Sequence, residues 1–442
     1  MFPELLSKPA TLSFTGQNQS SDGGLVLLKA ADRKLKLSEA LAACVSDSRR
    51  ARSVRHPFGG FLFQRIASFA CGYPDANDFN SLRQDEVWKK ISGQNLPSQP
   101  TVSRFENALK KKDLKAMNHA LAEAVFKQMR SQHKGQNKVK HITLDMDGTD
   151  DPTHGQQEFS CFNGHYDRHC FLPLLAFASF KGQAEQFLVA SQLRPGDASA
   201  GEDGVKMLKG VLKKCRRFFP QARILVRLDA GFANPEMLDF LDEAQVGYLV
   251  SYPKNATLLK QIRSTMKLVS KCSRESGESE QAYGHFLYKT AKSWKRQHRI
   301  IYKAEVIRQE GMFDKDNPRF VVTNLQGCPE RLYKLYCGRG DSENRIKELK
   351  LDLNSGRTSC QDFQANRFRL LLASAAFVLL QFMRSLLKLP LAKVWQAGTL
   401  RLRLIKVAVT FKESVRRLLF TFARAFPGKE AFLDLAAALG AT

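Results

Sequence analysis

The chain has 442 residues, well above the roughly 150 of a single domain, so two or three domains, or one large domain carrying an insertion, are expected. With 43% hydrophobic and 25% charged residues the composition is that of a folded globular protein and excludes a disordered or collagenous chain. Lys and Arg number 69 against 43 Asp and Glu, a formal net charge of +26, and a polyanionic partner is the simplest cause. Nine Cys with no Cys-x-x-Cys pair support neither a disulfide framework nor a zinc ribbon, so a reducing cytoplasm is expected. Residues Met1 to Lys8 lack the basic start and apolar run of a secretory signal. The apolar run Leu370 to Met383 is shorter than the roughly 20 residues of a membrane span and reads as a buried helix.

In chain order, residues 1–135 read as helices punctuated by turns, ending in two basic helices between Thr101 and Gln132 with a break near Lys112 and Asp113. The polar stretch Ser131 to Asn137 reads as a linker. From His141 the pattern changes: His141 to Asp147 is a strand, and Phe171 to Phe180 and Gln186 to Leu193 form a hairpin. Asp203 to Phe219 is a helix, Ile224 to Asp229 a buried strand, Pro235 to Ala244 a helix, and Tyr248 to Tyr252 another strand. This succession predicts a mixed α/β sheet with an antiparallel edge. Residues 257–330 read as an inserted β-rich segment with polar loops such as Ser273 to Glu280. Helices from Asp341 to Leu353 and Phe363 to Leu387 follow, within a segment 331–390. A basic helical tail, 391–442, ends the chain. The expected divisions are therefore 1–135, 136–256, 257–330, 331–390 and 391–442.

Phosphate-binding loops, the GxSxG elbow, the HExxH motif and the dinucleotide fingerprint are all absent from the sequence. What remains are carboxylates at strand ends. Asp145 and Asp147 alternate on one strand and so share a face. Asp229 ends the strand Ile224 to Asp229, and sites in open α/β sheets lie at the carboxyl ends of strands. The run Tyr336-Cys-Gly-Arg339-Gly-Asp-Ser-Glu343-Asn-Arg-Ile-Lys347-Glu-Leu-Lys350 places Glu343, Lys347 and Lys350 on one helix edge, beside an apolar stripe of Ile346, Leu349 and Leu353. Glu348 falls off that edge and is expected on the surface.

At these residues the sequence resembles bacterial insertion-sequence transposases of the DDE type with a Tyr-Arg-Glu-Lys signature, closest to the IS thirteen-eighty group. The resemblance spans about Leu144 to Phe377, through Asp147-Gly-Thr-Asp-Asp-Pro-Thr-His-Gly-Gln-Gln, Phe162-Asn-Gly-His-Tyr, Arg227-Leu-Asp229-Ala-Gly-Phe, Pro318-Arg-Phe-Val-Val-Thr-Asn and the signature itself. It implies a ribonuclease-H-like fold with a β-rich insertion, a triad of Asp147, Asp229 and Glu343, and DNA contacts from Tyr336, Arg339 and Lys350. It further implies end recognition by the N-terminal third and synapsed complexes on DNA, with a homodimer expected there. Three carboxylates suit two Mg²⁺ ions, with Mn²⁺ substituting, and such a pair stabilises the attacking and leaving oxygens of a phosphodiester displacement. The resemblance implies that water frees a 3′-hydroxyl at the element end and that this hydroxyl then attacks target DNA. Rival readings are a metal-dependent nuclease of the same fold without strand transfer and an inactive transposase-derived DNA-binding protein.

Lys347 shares the edge of Glu343 and would face phosphate. His154, Gln156 and Gln157 follow Asp147 and would touch phosphate or base edges, or else only bond within their loop. Trp294, within Lys292 to Arg299, suits an unpaired strand because an aromatic sits among cations; Trp88 and Trp395 read as core or interface. Cys161, His165, His169 and Cys170 have a spacing compatible with zinc, although loops before strands often carry such residues without metal.

Overall fold

Three short apolar runs form the centre of the molecule because their side chains are covered on both faces, as parallel strands require. In the computed structural model, which describes residues 14, 16, 18–47, 52, 54–133, 139–290, 294–309, 313–389 and 394–441, these are β1 (His141–Gly148), β4 (Arg223–Leu228) and β5 (Gly247–Tyr252). Between β1 and β4 in sequence lies the hairpin β2 (Leu174–Phe180) and β3 (Gln186–Gln192). Four later strands are β6 (Glu280–Tyr288), β7 (His298–Ile307), β8 (Lys315–Asp316) and β9 (Arg319–Thr323). The order across the sheet is β6-β7-β9-β5-β4-β1-β2-β3, with β8 paired to β7. β1, β4 and β5 are mutually parallel, whereas every other pairing is antiparallel. The strands of segment 257–330 thus extend the central sheet through β9 and β5.

Helices cover the sheet. α1 (Leu25–Leu35), α2 (Phe58–Cys71) and α3 (Lys111–Gln132) come from the N-terminal third. α4 (Ala200–Phe218) and α5 (Pro235–Glu243) flank β4, and α6 (Pro329–Cys337), α7 (Gly340–Asp352) and α8 (Phe363–Leu386) follow the last strand. α8 is long and apolar enough to cross a membrane, but it is buried nearly all round as a core helix. One hydrophobic cluster runs from Leu25 and Phe61 through Leu144, Val226, Leu349 and Phe377 to Leu435, so N-terminal helices, sheet and tail share a core. A buried network also joins α2 to α8: Arg65 and Arg369 both pair with Glu106, at 2.6 and 3.1 Å.

Several expectations need correction. The tail is helical at its ends, with Ala397–Leu400 and Lys429–Leu439, but between them lies a hairpin of Val409–Glu413 and Leu418–Phe422. Val409 and Phe411 bury one face of it against Val87, and Gln19–Ser20 adds a third strand. Segment 257–330 contains the helix Arg263–Ser276, which takes in Ser273 to Ser276 of the expected loop. Met266 and Val269 turn inward against Ala304 and Val306, and Gly277, at φ 74°, ends the helix in the left-handed region. Lys134 to Asn137 of the expected linker, Lys292 and Ser293 beside Trp294, and Lys393 of the tail lie outside the described residues.

Candidate active site

β1 and β4 pair in parallel with Asp145 opposite Arg227 and Met146 opposite Leu228. One residue on, Asp147 and Asp229 therefore sit side by side at the carboxyl ends of adjacent strands, on the same face as the Asp145–Arg227 pair beneath them. Arg227 grips Asp145 with two hydrogen bonds of 2.7 Å, and Gln186 donates a third at 2.6 Å. Asp145 is fully buried and its oxygens are committed to those donors. The arginine reaches further, donating to the Leu335 carbonyl at 2.9 Å. Gly338 makes room for it, since a Cβ there would collide with the guanidinium. The β1–β4 pair thereby fixes α6 and the turn into α7.

Arg339 emerges from that turn and stands between the acids. Its guanidinium donates to Asp147 Oδ2 at 2.7 Å and to Glu343 Oε1 at 2.6 Å. Burial and the neighbouring Asp229 carboxylate push Asp147 up to about 6, although Arg339 opposes the rise. Asp229 is raised as well, chiefly by burial, against the pull of Arg339 and the Gly231 and Phe232 amides. Two desolvated like charges side by side create a demand for a cation, which Arg339 meets in this structure. Glu343 is half exposed, and α7 packs on the core through Ile346, Leu349 and Leu353. Among the described residues no three His, Cys, Asp or Glu are grouped closely enough to hold one metal ion; at this site the Arg339 guanidinium lies between Asp147 and Glu343.

The remaining predicted residues divide. Lys350 lies beside the strand end, with Nζ 2.8 Å from Asp150 Oδ1, 2.9 Å from the Asp150 carbonyl and 3.3 Å from Thr149 Oγ1. Lys347 is exposed on the same helix. Tyr336 packs on Tyr333 in a small cluster with Leu249 and Leu332. His154 is exposed, and its amide donates to Gln157, which in turn donates to the Thr358 and Cys360 carbonyls. Trp294 is not a stacking platform: it is 5% exposed, enclosed by Tyr252, Tyr288 and His298. Glu348 is not a surface residue either. It is 3% exposed and binds Arg384 at 2.6 Å and Arg345 at 2.7 Å. Of the zinc candidates, Cys161 and Cys170 face each other across a strand pair and His169 packs on Phe162; all nine Cys are free.

Some residues at the site were missed. Arg194, buried at 3%, donates to the Leu172 and Ser199 carbonyls, and its guanidinium lies beside Gly148. Asp151 is buried, accepts from Thr358 Oγ1 at 2.8 Å and is pushed up to about 7 by desolvation. Tyr166 sits near enough to Asp150, Asp147 and Asp229 that its hydroxyl is raised, first by burial and then by their charge. Asp150, Asp151 and Tyr166 stand within the runs that carried the resemblance, so a weighing of those runs residue by residue would have found them. Arg194 gave no sequence signal.

Curated proteins provide no match to the chain. The family model for the transposase DDE domain, group 1, matches residues 2–442. With two adjacent strand-end aspartates and a helix-borne glutamate joined to the first of them through one arginine, this chain belongs to the DDE transposase domain group 1 family.

Proposed function

We propose that this transposase cuts DNA at the ends of its mobile element and joins the freed 3′-hydroxyl to target DNA, with Asp147, Asp229 and Glu343 as the catalytic carboxylates. The carrying observation is the placement of Asp147 beside Asp229, both with raised pKa, and of Glu343 on the far side of a shared arginine. Hard oxygen donors suit Mg²⁺ or Mn²⁺, and the two crowded aspartates fit such an ion better than they fit each other. When bound there, a divalent pair would stabilise the attacking and leaving oxygens of the phosphodiester exchange.

The chain's own groups do the rest. Asp145, locked to Arg227 and Gln186, holds β1 and β4 in register beneath the site. Arg339 neutralises Asp147 and Glu343 until substrate arrives, then passes to a phosphate, freeing both carboxylates. Lys350, Lys347 and His154 line phosphate alongside Arg339, and Tyr336 orients the turn that carries it. The strand order β3-β2-β1-β4-β5, with β2 antiparallel to both neighbours, supports a ribonuclease-H-like core within 136–256 and 331–390. In this reading 257–330 is an insertion, residues 1–135 recognise the element ends, 391–442 is a basic tail, and a homodimer forms on synapsed DNA in the cytoplasm.

The test uses a supercoiled plasmid carrying the DNA that flanks the reading frame, incubated with protein and Mg²⁺. Nicked ends together with covalent joining to a second plasmid support the reading. Cutting without joining makes the protein a nuclease, and neither product makes it a DNA-binding relic.

A further inference from the structure

A cavity of about 530 Å³ opens between α3, α4 and the outer strand β3. Its walls carry Lys111, Lys115 and His119 from α3, Lys209 and Lys214 from α4, and Arg367 from α8, while Asp203 is the one carboxylate among the described lining residues. Lys214 is 9% exposed, and its Nζ lies 2.5 Å from His119 Nδ1. Desolvation lowers both groups, and for His119 the Lys214 and Lys115 charges lower it further. That hydrogen bond ties α3 to α4 across the hollow, and the cations around it outnumber its one lining carboxylate, a surplus that a bound anion would balance.

The shape suits a polymer. The lining runs from Lys111 to Ala122 on one helix and from Asp203 to Lys214 on the other, on the order of 16 Å along each axis. That length spans about five phosphates of one strand at 3.4 Å each. The floor is closed to strand addition: Gln381 takes the Leu188 amide and the Gln186 carbonyl, and Asn118 takes both backbone groups of Ser191. Gln192, in its lining, is level with Leu174, which is level with Gly148, so this part of the wall lies two strand spacings, roughly 10 Å, from the end of β1.

We propose that this groove binds the phosphate backbone of duplex DNA whose scissile bond lies at Asp147 and Asp229. The proposal rests on the DNA-cutting function above, but its test does not require cutting. A random-sequence fluorescent 30-base-pair duplex is titrated with the full chain in EDTA between 50 and 200 mM NaCl. Each phosphate contact contributes about 0.9 to the slope of log affinity against log salt. Lys115→Ala/Lys209→Ala, at two exposed cations, should lower the slope by about 1.8, so that the variant loses about twelvefold less affinity than the parent over that fourfold salt range. Lys260→Ala/Lys267→Ala, the same charge change at exposed lysines of the helices Ala256–Gln261 and Arg263–Ser276, should leave the slope near the parental value. An unchanged slope in the groove variant, or an equal fall in the control, overturns the proposal. Inorganic phosphate added at constant ionic strength should not displace the duplex; removal of the groove-dependent part alone would mark a small-anion site and overturn it too. Plasmid cleavage with an unaffected slope would remove the groove and keep the function, and a groove-dependent slope without cleavage would do the reverse.

Discussion

Glu343 and Glu348 sit five residues apart on α7, and the structure gives them opposite jobs, so their substitution should separate chemistry from stability. Glu348 belongs to a buried group with two acids and two bases. Its Oε1 accepts from Arg384 and from the Ala397 amide, both at 2.6 Å, and Arg345 lies 2.7 Å from Oε2. Glu185 holds Arg384 from the other side at 2.5 and 2.9 Å. Glu348→Ala leaves that group with one uncompensated positive charge, which should cost about 3–5 kcal/mol, a large part of the roughly 5–15 kcal/mol that holds a domain folded. Glu348→Gln keeps an acceptor for the Ala397 amide and should cost less. Glu343→Gln, at a half-exposed side chain, should cost under about 1 kcal/mol. Urea unfolding followed by tryptophan fluorescence reads the difference, and limited proteolysis of residues 394–441 reads the loss of the anchor to the tail. A cost below about 1 kcal/mol for Glu348→Ala, with the tail still protected, would refute the network as the support of α7.

Asp147→Asn should stabilise the metal-free protein at pH 7.5 by on the order of 1–3 kcal/mol. The folded pKa of Asp147 is raised to about 6, so its stability contribution is complete below about pH 4 and is lost as pH rises through 6; the advantage of the Asn variant should therefore vanish by pH 4, and a constant advantage would contradict it. Mg²⁺ should raise the melting temperature of the parent and not of Asp147→Asn, measured by thermal shift. Asp145→Asn should instead destabilise, since it leaves the buried Arg227 without its countercharge and with one of its two carboxylate acceptors, while an Mg²⁺-dependent melting shift persists; loss of that shift with an intact fold would make Asp145 a ligand. Arg339→Gln should move Mg²⁺-dependent stabilisation to higher pH, because the cation that lowers Asp147 and Asp229 is gone, and a shift to lower pH would argue against that role.

The adjacency of Asp147 and Asp229 was legible because each ends a short apolar run, and parallel pairing then makes such ends neighbours. The place of Glu343 on an open edge of α7 was legible from helical spacing alone. Glu348 was not: its angle on the helix reads as surface, and the arginine and glutamate that enclose it come from α8 and the β2–β3 turn, far away in sequence. The tail hairpin was hidden by its cations, which mask the alternation Val409, Phe411 against Thr410, Lys412. Gly277 read as a loop signal when it is the stop of a helix, and Trp294 was judged by its charged neighbours although Tyr252 and Tyr288 enclose it. Arg339 as a bridge between two acids required coordinates, since a sequence gives no direction to a long side chain.

In the proposed function Asp147, Asp229 and Glu343 act together on DNA. Cleavage of a supercoiled plasmid bearing the flanking DNA, scored for the parent and for Asp147→Asn, Asp229→Asn and Glu343→Gln under equal duplex binding, tests it most directly. All three variants should bind and none should cut. Parental cutting by any one of them would remove that residue from the triad and contradict the site.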